Sequence, residues 1–283
     1  MPTTKNISLA VAAFRSLHES GCFVLPNPWD AGTAKYLRHA GFKALATTSA
    51  GAAFSRGLPD TVSAMSRDAV LGHIREIVAA TPLPVNADFQ AGYASEPEGV
   101  YENVTLCVQT GAAGLSIEDA TGDDGAPLFE RRLAIERIRA ARAAIDATGI
   151  PVVLTARCEA WLTGVLDPLG IALARLAAFA DAGADCLYAP GVKDPDEIAA
   201  IVKAVAPKPI NVLISSAGTG LTVKRLADLG VRRISVGSAL ARVAWGAFMR
   251  AAGSIAETGS FDVFEGAATF GELNELFSIG TPP

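Results

Sequence analysis

Eight short runs of β-branched and apolar residues alternate along the chain with longer segments of helical period. The runs lie at residues 22–25, 44–48, 84–88, 114–118, 151–156, 186–189, 210–214 and 233–236. Between them, apolar residues recur at helical spacing over 31–40, 69–80, 99–110, 130–148, 170–182, 195–205 and 223–229. Five of these segments stop at a glycine directly ahead of the next run: Gly41, Gly111, Gly149, Gly183 and Gly230. Glycine closes a helix in the left-handed conformation at no steric cost. The runs are continuously apolar rather than alternating, as suits parallel strands covered by helices. Strict alternation of about eight strands with helices predicts a (β/α)8 TIM barrel. A doubly wound open sheet is the alternative. It fits less well because no G-x-G-x-x-G opens the first strand–helix turn, and because strand number and length suit closure. No low-complexity linker or charge block interrupts the pattern. Residues 1–283 therefore read as one barrel domain, with 20–245 as the barrel and 246–283 as a C-terminal helical extension.

Composition narrows the function classes. A net charge of −5 argues against an electrostatic nucleic-acid binder. The uncharged stretch 209–223 is shorter than the roughly 20 residues of a membrane span and is broken by Pro209, Asn211, Gly218 and Gly220. Near the N-terminus, Ile7, Val11, Phe14 and Leu17 fall at helical spacing, with flanks unlike those of a secretory signal. Cys22, Cys107, Cys158 and Cys186 are scattered without a C-x-x-C. They read as reduced thiols of a cytoplasmic protein, not as a disulfide frame or zinc site. The three histidines, His18, His39 and His73, fall on helices away from the barrel mouth and read as surface or packing residues.

In such a barrel, functional groups sit at the C-terminal ends of strands and on the loops that follow. Polar residues fall there consistently. Asp30 follows the first strand; Thr47, Thr48 and Ser49 end the second, with Asp60 on the loop beyond. Asp88 ends the third, Glu118 and Asp119 the fourth, Arg157 and Glu159 the fifth. Asn211 lies in the seventh and is a substrate-binding candidate, with Ser215 and Ser216 at its end, and Gly237 and Ser238 follow the eighth. Asp88 and Glu118 close otherwise apolar strands, so both should converge on the mouth with Asp60 above them. Three carboxylates in one cavity repel unless a cation neutralises them, and oxygen-only ligation suits Mg²⁺, with Mn²⁺ as substitute. Internal salt bridges with no ligand are the other reading. Arg157, whose planar fork matches a carboxylate, is the natural counter-charge for a small anionic substrate. The segment Ser235–Leu240 resembles a phosphate-holding loop, or is simply a tight turn and helix cap. Beyond the eighth strand, Phe261, Phe264, Phe270 and Phe277 share a segment of helical period with Val263, Leu273 and Leu276. It packs either on its own barrel or on a neighbouring subunit.

Five stretches together resemble the isocitrate lyase / phosphoenolpyruvate mutase superfamily: 41–51, Gly57-Leu-Pro-Asp60, Asn86-Ala-Asp88 with Gly92-Tyr93, 111–119 ending in Glu118-Asp119, and Thr155-Ala-Arg157. They occur in order over roughly 20–245. The resemblance implies a Mg²⁺ site at the mouth of the barrel, a C-terminal helix exchanged between subunits, and a homotetramer built as a dimer of dimers. It implies Asp88 as a metal ligand, with Asp60 and Glu118 reaching the metal directly or through water. It also implies Thr47, Thr48 and Ser49 as the carboxylate-binding turn, and Arg157 as the substrate-binding arginine. Departures matter as much. Asn86 stands where members usually carry a second Asp. The loop 119–130 has none of the cysteine, lysine or histidine of the isocitrate and methylisocitrate lyases. Ala120 replaces the lysine favoured by the mutases, and Ala189-Pro-Gly191 the glutamate after the sixth strand.

The chemistry implied is stabilisation of a pyruvate-like enolate, with the metal as Lewis acid. The chain is expected to be a Mg²⁺-dependent lyase cleaving a C–C bond of a small 2-oxo or 2-hydroxy acid, oxaloacetate decarboxylase-like or methylisocitrate lyase-like. Arg157, Asp60 and Glu118 would be catalytic, and 119–130 the lid. Decarboxylation suits the stripped loop because it needs no acid from it. The alternatives are a phosphonopyruvate mutase or hydrolase, and a non-catalytic carboxylate-binding member of the family.

Overall fold

The computed structural model describes residues 4–62 and 64–278. Eight parallel strands stand in the order β1-β8-β7-β6-β5-β4-β3-β2. They are β1 (Phe23–Leu25), β2 (Leu45–Ala46), β3 (Val85–Asp88), β4 (Gly114–Glu118), β5 (Val153–Arg157), β6 (Cys186–Tyr188), β7 (Ile210–Leu213) and β8 (Arg233–Ser235). No ladder joins β1 to β2, but the Ala46 N–H donates to the Pro26 carbonyl at 3.0 Å and brings the ring to near closure. The expected (β/α)8 barrel is the observed fold.

Helices α1 (Thr4–Leu17), α2 (Ala31–His39), α3 (Ser49–Phe54), α4 (Arg67–Ala80), α5 (Pro97–Val108), α6 (Arg131–Thr148), α7 (Pro168–Asp181), α8 (Pro195–Val205), α9 (Val223–Asp228), α10 (Ala239–Thr258) and α11 (Phe270–Ser278) surround or extend it. Gly41, Gly111, Gly149, Gly183 and Gly230 all have positive φ, as the helix ends require. Leu115, Ile117, Leu154 and Leu187 are fully buried between sheet and helices, each such side chain adding about 1.5–3 kcal/mol. The short α3 differs from the sequence reading, which ends the second strand at Thr48. Thr48 instead caps α3, its side chain accepting from the Gly51 N–H.

Helix α1 lies across the N-terminal ends of the strands. Phe14 is wholly buried and packs so closely on β4 that a Cβ at Gly114 would stand 2.5 Å from its ring. Arg15 pairs with Asp185 at 3.3 Å and donates to the Pro151 carbonyl. The bottom of the barrel is thereby plugged.

The extension forms two pieces rather than one. Helix α10 ends at Gly259 in the left-handed conformation, a 3₁₀ turn follows at Asp262–Gly266, and α11 comes after. Helix α11 returns to its own barrel, its Phe277 ring lying beside Gly32 of α2. Val243, Phe248, Met249, Phe261, Phe264 and Phe270 remain more than half exposed. Exchange of this helix between subunits is not shown.

Candidate active site

A cavity of about 200 Å³ opens at the C-terminal end of the strands. Of the expected site residues, Thr47, Thr48, Ser49, Asp60, Asp88, Arg157 and Asn211 all line it. Glu118 joins them through Arg157.

Arg157 is the hub. Its Nε donates to Glu159 at 2.8 Å, its Nη1 to Asp88 at 2.9 Å, and its Nη2 pairs with Glu118 at 3.1 Å. The guanidinium lies 5.1 Å from the Tyr188 ring centroid. Three of its five N–H groups are thus used on carboxylates, leaving one on each Nη. Asp88 is held on its other oxygen by the Ser49 N–H at 2.9 Å, while its own N–H donates to Thr47 Oγ1. Thr47 and Thr48 therefore build the frame. The Ser49 hydroxyl is left facing the cavity with no hydrogen bond among the described residues.

One arginine cannot neutralise this many acids. Burial pushes the Glu118 carboxyl up to about 8 against the pull of Arg157, with Glu159 and Asp88 adding repulsion. Glu159 is raised by its burial too, and Asp60, at the exposed rim, by desolvation and by Asp88. Oxygen donors short of positive charge fit a hard divalent cation. Among the described residues, no three His, Cys, Asp or Glu side chains converge tightly enough to grip an ion unaided. The set therefore suits an ion that keeps much of its water, as Mg²⁺ does. Asn86 lies one inward position below Asp88, and its Oδ1 is buried without a partner.

The loop 119–130 is anchored at its base and meets a second loop at its tip. Asp119 is buried, accepts the Glu159 N–H and pairs with Arg175 at 3.0 Å. Arg175 also donates to the Phe129 carbonyl, and Arg137 stacks 3.9 Å from the Phe129 ring centroid. At the tip, Gly122 (φ 79°) meets Val62 of the loop that carries Asp60; a Cβ there would stand 2.7 Å from it. The two loops meet over the mouth.

The expected phosphate loop is otherwise engaged, since the Val236 and Gly237 N–H groups both donate to Asn27 Oδ1 at 3.1 and 2.9 Å. Three residues escaped the sequence reading. Asn27 sits between Pro26 and Pro28, a placement that signals a fixed polar group. Tyr188 ends β6, and its hydroxyl accepts from the Ser235 hydroxyl at 3.4 Å. Arg233 is a charged residue inside a buried strand, a signal that marks the position but not the direction of its side chain. Its Nε donates to Asn211 Oδ1 at 2.9 Å and its Nη2 to Thr155 Oγ1 at 3.0 Å, while Asn211 Nδ2 donates to Ser235. The Asn211 amide is thus bound to its neighbours on both sides. Of the histidines, His39 is exposed on α2 and His73 is buried in α4, outside the cavity lining. His18 meets Arg233 from below.

The family model described as phosphoenolpyruvate phosphomutase matches residues 14–256. A candidate lyase/mutase from Burkholderia cenocepacia J2315 has 48% sequence identity and a TM-score of 0.93, over 99% of this chain and 98% of that one. The 2-methylisocitrate lyase of Salmonella typhimurium is 35% identical over 167 residues, 56% of this chain and 54% of the lyase. Oxaloacetate acetylhydrolase with its product oxalate bound aligns at 27% identity and a TM-score of 0.84, over 95% of this chain and 94% of the other.

Proposed function

The chain belongs to the phosphoenolpyruvate phosphomutase family, and from that premise we propose that it is a lyase cleaving a C–C bond of a small 2-oxo or 2-hydroxy carboxylic acid. The observation that carries this reading is the pairing of an acid-rich, oxygen-lined mouth around Arg157 with a lid that brings no proton donor of its own. The ionisable side chains of 119–130 are all carboxylates, and Asp119 is locked on Arg175. Decarboxylation of an oxaloacetate-like acid fits best, because its leaving group needs no protonation.

The two remaining Arg157 N–H groups and the Ser49 hydroxyl would hold the substrate carboxylate. Thr47 and Thr48 would keep that turn in place, and Asp88, Glu118 and Asp60 would hold a divalent cation, Mg²⁺ or Mn²⁺. When bound, that cation supplies Lewis acidity to the 2-oxo group. The loop 119–130, folding at Gly122, would exclude water from the reacting acid. P–C chemistry is disfavoured by the commitment of the Val236 and Gly237 N–H groups to Asn27. The test is turnover of oxaloacetate, 2-methylisocitrate and phosphonopyruvate with Mg²⁺ present. Faster turnover of phosphonopyruvate, or an Asp88→Ala variant fully active without added metal, sinks this reading.

We further propose a homo-oligomer, a dimer of dimers, in which the exposed faces of α10 and the segment after it are covered by another copy. Isolated apolar patches of this kind call for cover. Sedimentation of Phe248→Ser/Met249→Ser protein should give a smaller species than the parent, and an unchanged mass refutes the idea. Four free cysteines, three of them buried, support a cytoplasmic location. No described helix is long and apolar enough to cross a membrane.

A further inference from the structure

Strand register and barrel shear carry one row of side chains from the mouth to the bottom. Glu118 pairs with Arg157, Arg157 with Tyr188, Tyr188 with Asn211 and Asn211 with Arg233. Because strands tilt in a closed barrel, such a row descends as it passes round the ring. Arg233 therefore begins where Arg157 does in register but ends at the floor. There its Nη1 lies 3.3 Å from His18 Nε2, just beyond α1. Its Nη2 reaches across to Thr155, two residues below Arg157 on β5 and so about 7 Å deeper.

Arg233 is 2% exposed, yet it lines the same cavity as Ser49, Asp88 and Arg157. Its partners are an amide, a hydroxyl and an imidazole. Among the described residues no carboxylate pairs with it. The imidazole is neutral: His18 Nδ1 donates to the Phe14 carbonyl, leaving Nε2 to accept from Arg233. Three of the five guanidinium N–H groups are used and two are not. A buried cation left without an anion carries a large desolvation cost. Asn86, whose Oδ1 is buried and unpartnered, lines the same cavity. The cavity reaches down to this level because its inward residues, Ala46, Asn86 and Ser116, are small.

We propose that Arg233 is an anion-binding residue at the cavity floor, taking the second carboxylate of a small dicarboxylic acid whose first carboxylate meets Arg157 and Ser49. The proposal rests on the 2-oxo acid reading and adds to it which residue takes the second carboxylate, and that the acid lies along the barrel axis. A compact oxyanion of another kind, such as a phosphonate, would satisfy the same donors, so both are used as probes.

The experiment is calorimetric titration of the full-length protein, with Mg²⁺ present, by malonate, phosphonoacetate and acetate. The wild type should bind malonate more tightly than acetate. Arg233→Met should weaken malonate about 10- to 100-fold, the range for a hydrogen bond to a charged group, and leave acetate unchanged. Arg233→Lys should recover part of the loss. If Arg233→Met does not fold, Arg233→Lys alone decides, with a loss in malonate affinity at constant acetate affinity expected. Unchanged malonate binding in the folded variants overturns the proposal, as does equal binding of malonate and acetate by the wild type. A loss confined to phosphonoacetate overturns the carboxylate assignment. Binding of malonate through Arg233 without turnover of any 2-oxo acid keeps the floor site and rejects the lyase reading. Turnover with the diacid preference intact in Arg233→Met does the reverse.

Discussion

The mouth and the floor of the barrel each hold one arginine, half-buried at the mouth and buried at the floor, and the two are solvated in opposite ways. At the mouth, Arg157 stands among Asp88, Glu118 and Glu159, more negative charge than it can balance. At the floor, Arg233 has only Asn211, Thr155 and His18 among the described residues. The difference teaches what each charge is for. Arg157 holds the protein's own anions together and keeps two N–H groups to spare. Arg233 is satisfied by dipoles alone and leaves its net charge to whatever enters.

The strongest test of this contrast is removal of each cation in turn. Arg157→Met should cost about 3–5 kcal/mol in urea unfolding, the toll of stranding buried carboxylates, and should abolish turnover. Arg233→Met strands only neutral acceptors and should cost about 1–3 kcal/mol. Equal losses would erase the distinction. Next in size, Glu159→Gln keeps an acceptor for Arg157 Nε but removes its charge, with an expected cost of about 1–1.5 kcal/mol. A neutral result in the same unfolding assay would mean that Glu159 is surplus charge. Smaller still, Ser49→Ala should raise KM about tenfold with kcat little changed, since only one hydrogen bond to substrate is lost. A fall in kcat alone would instead place Ser49 in the chemical step.

The gentlest test is titration of the floor. Burial and then Arg233 depress His18 to about 3, against an ordinary value of 6.5. Between those values the unfolded chain binds a proton that the folded one refuses. The His18 contribution is therefore intact above pH 6.5 and is lost progressively as pH falls toward 3, at no more than about 1.4 kcal/mol per pH unit. His18→Gln should flatten the acid limb of stability against pH by up to this slope. An unaltered limb would mean that His18 titrates normally and does not accept from Arg233.

The alternation of strands and helices was legible because each element is set by local periodicity, and the five terminal glycines marked the boundaries. The carboxylates of the mouth were legible for a similar reason. Asp88 and Glu118 terminate apolar runs, so their position along the strand is enough to place them. Arg233 was not, because its role depends on which way a side chain points within a three-residue strand. Arg232 and Arg233 are chemically alike, yet the first reaches outward to the Gly21 carbonyl and the second crosses the lumen. The commitment of Asn27 to the Val236 and Gly237 N–H groups ties the end of β1 to the end of β8, neighbours in the ring but far apart along the chain, and no local pattern encodes it. The break at Gly259 was visible as a glycine but was outweighed by the aromatic period around it.

The plug formed by α1 has a kinetic consequence. A tube sealed at one end by Phe14 and Gly114 has a single door, so under the lyase proposal two products would have to leave in sequence through the passage that admitted the substrate. The fragment nearer the lid leaves first and the deeper one last. The last to leave should compete directly with fresh substrate for the empty enzyme, while the first should inhibit without competing. The pattern of product inhibition would then report, from outside, which end of the substrate went in first.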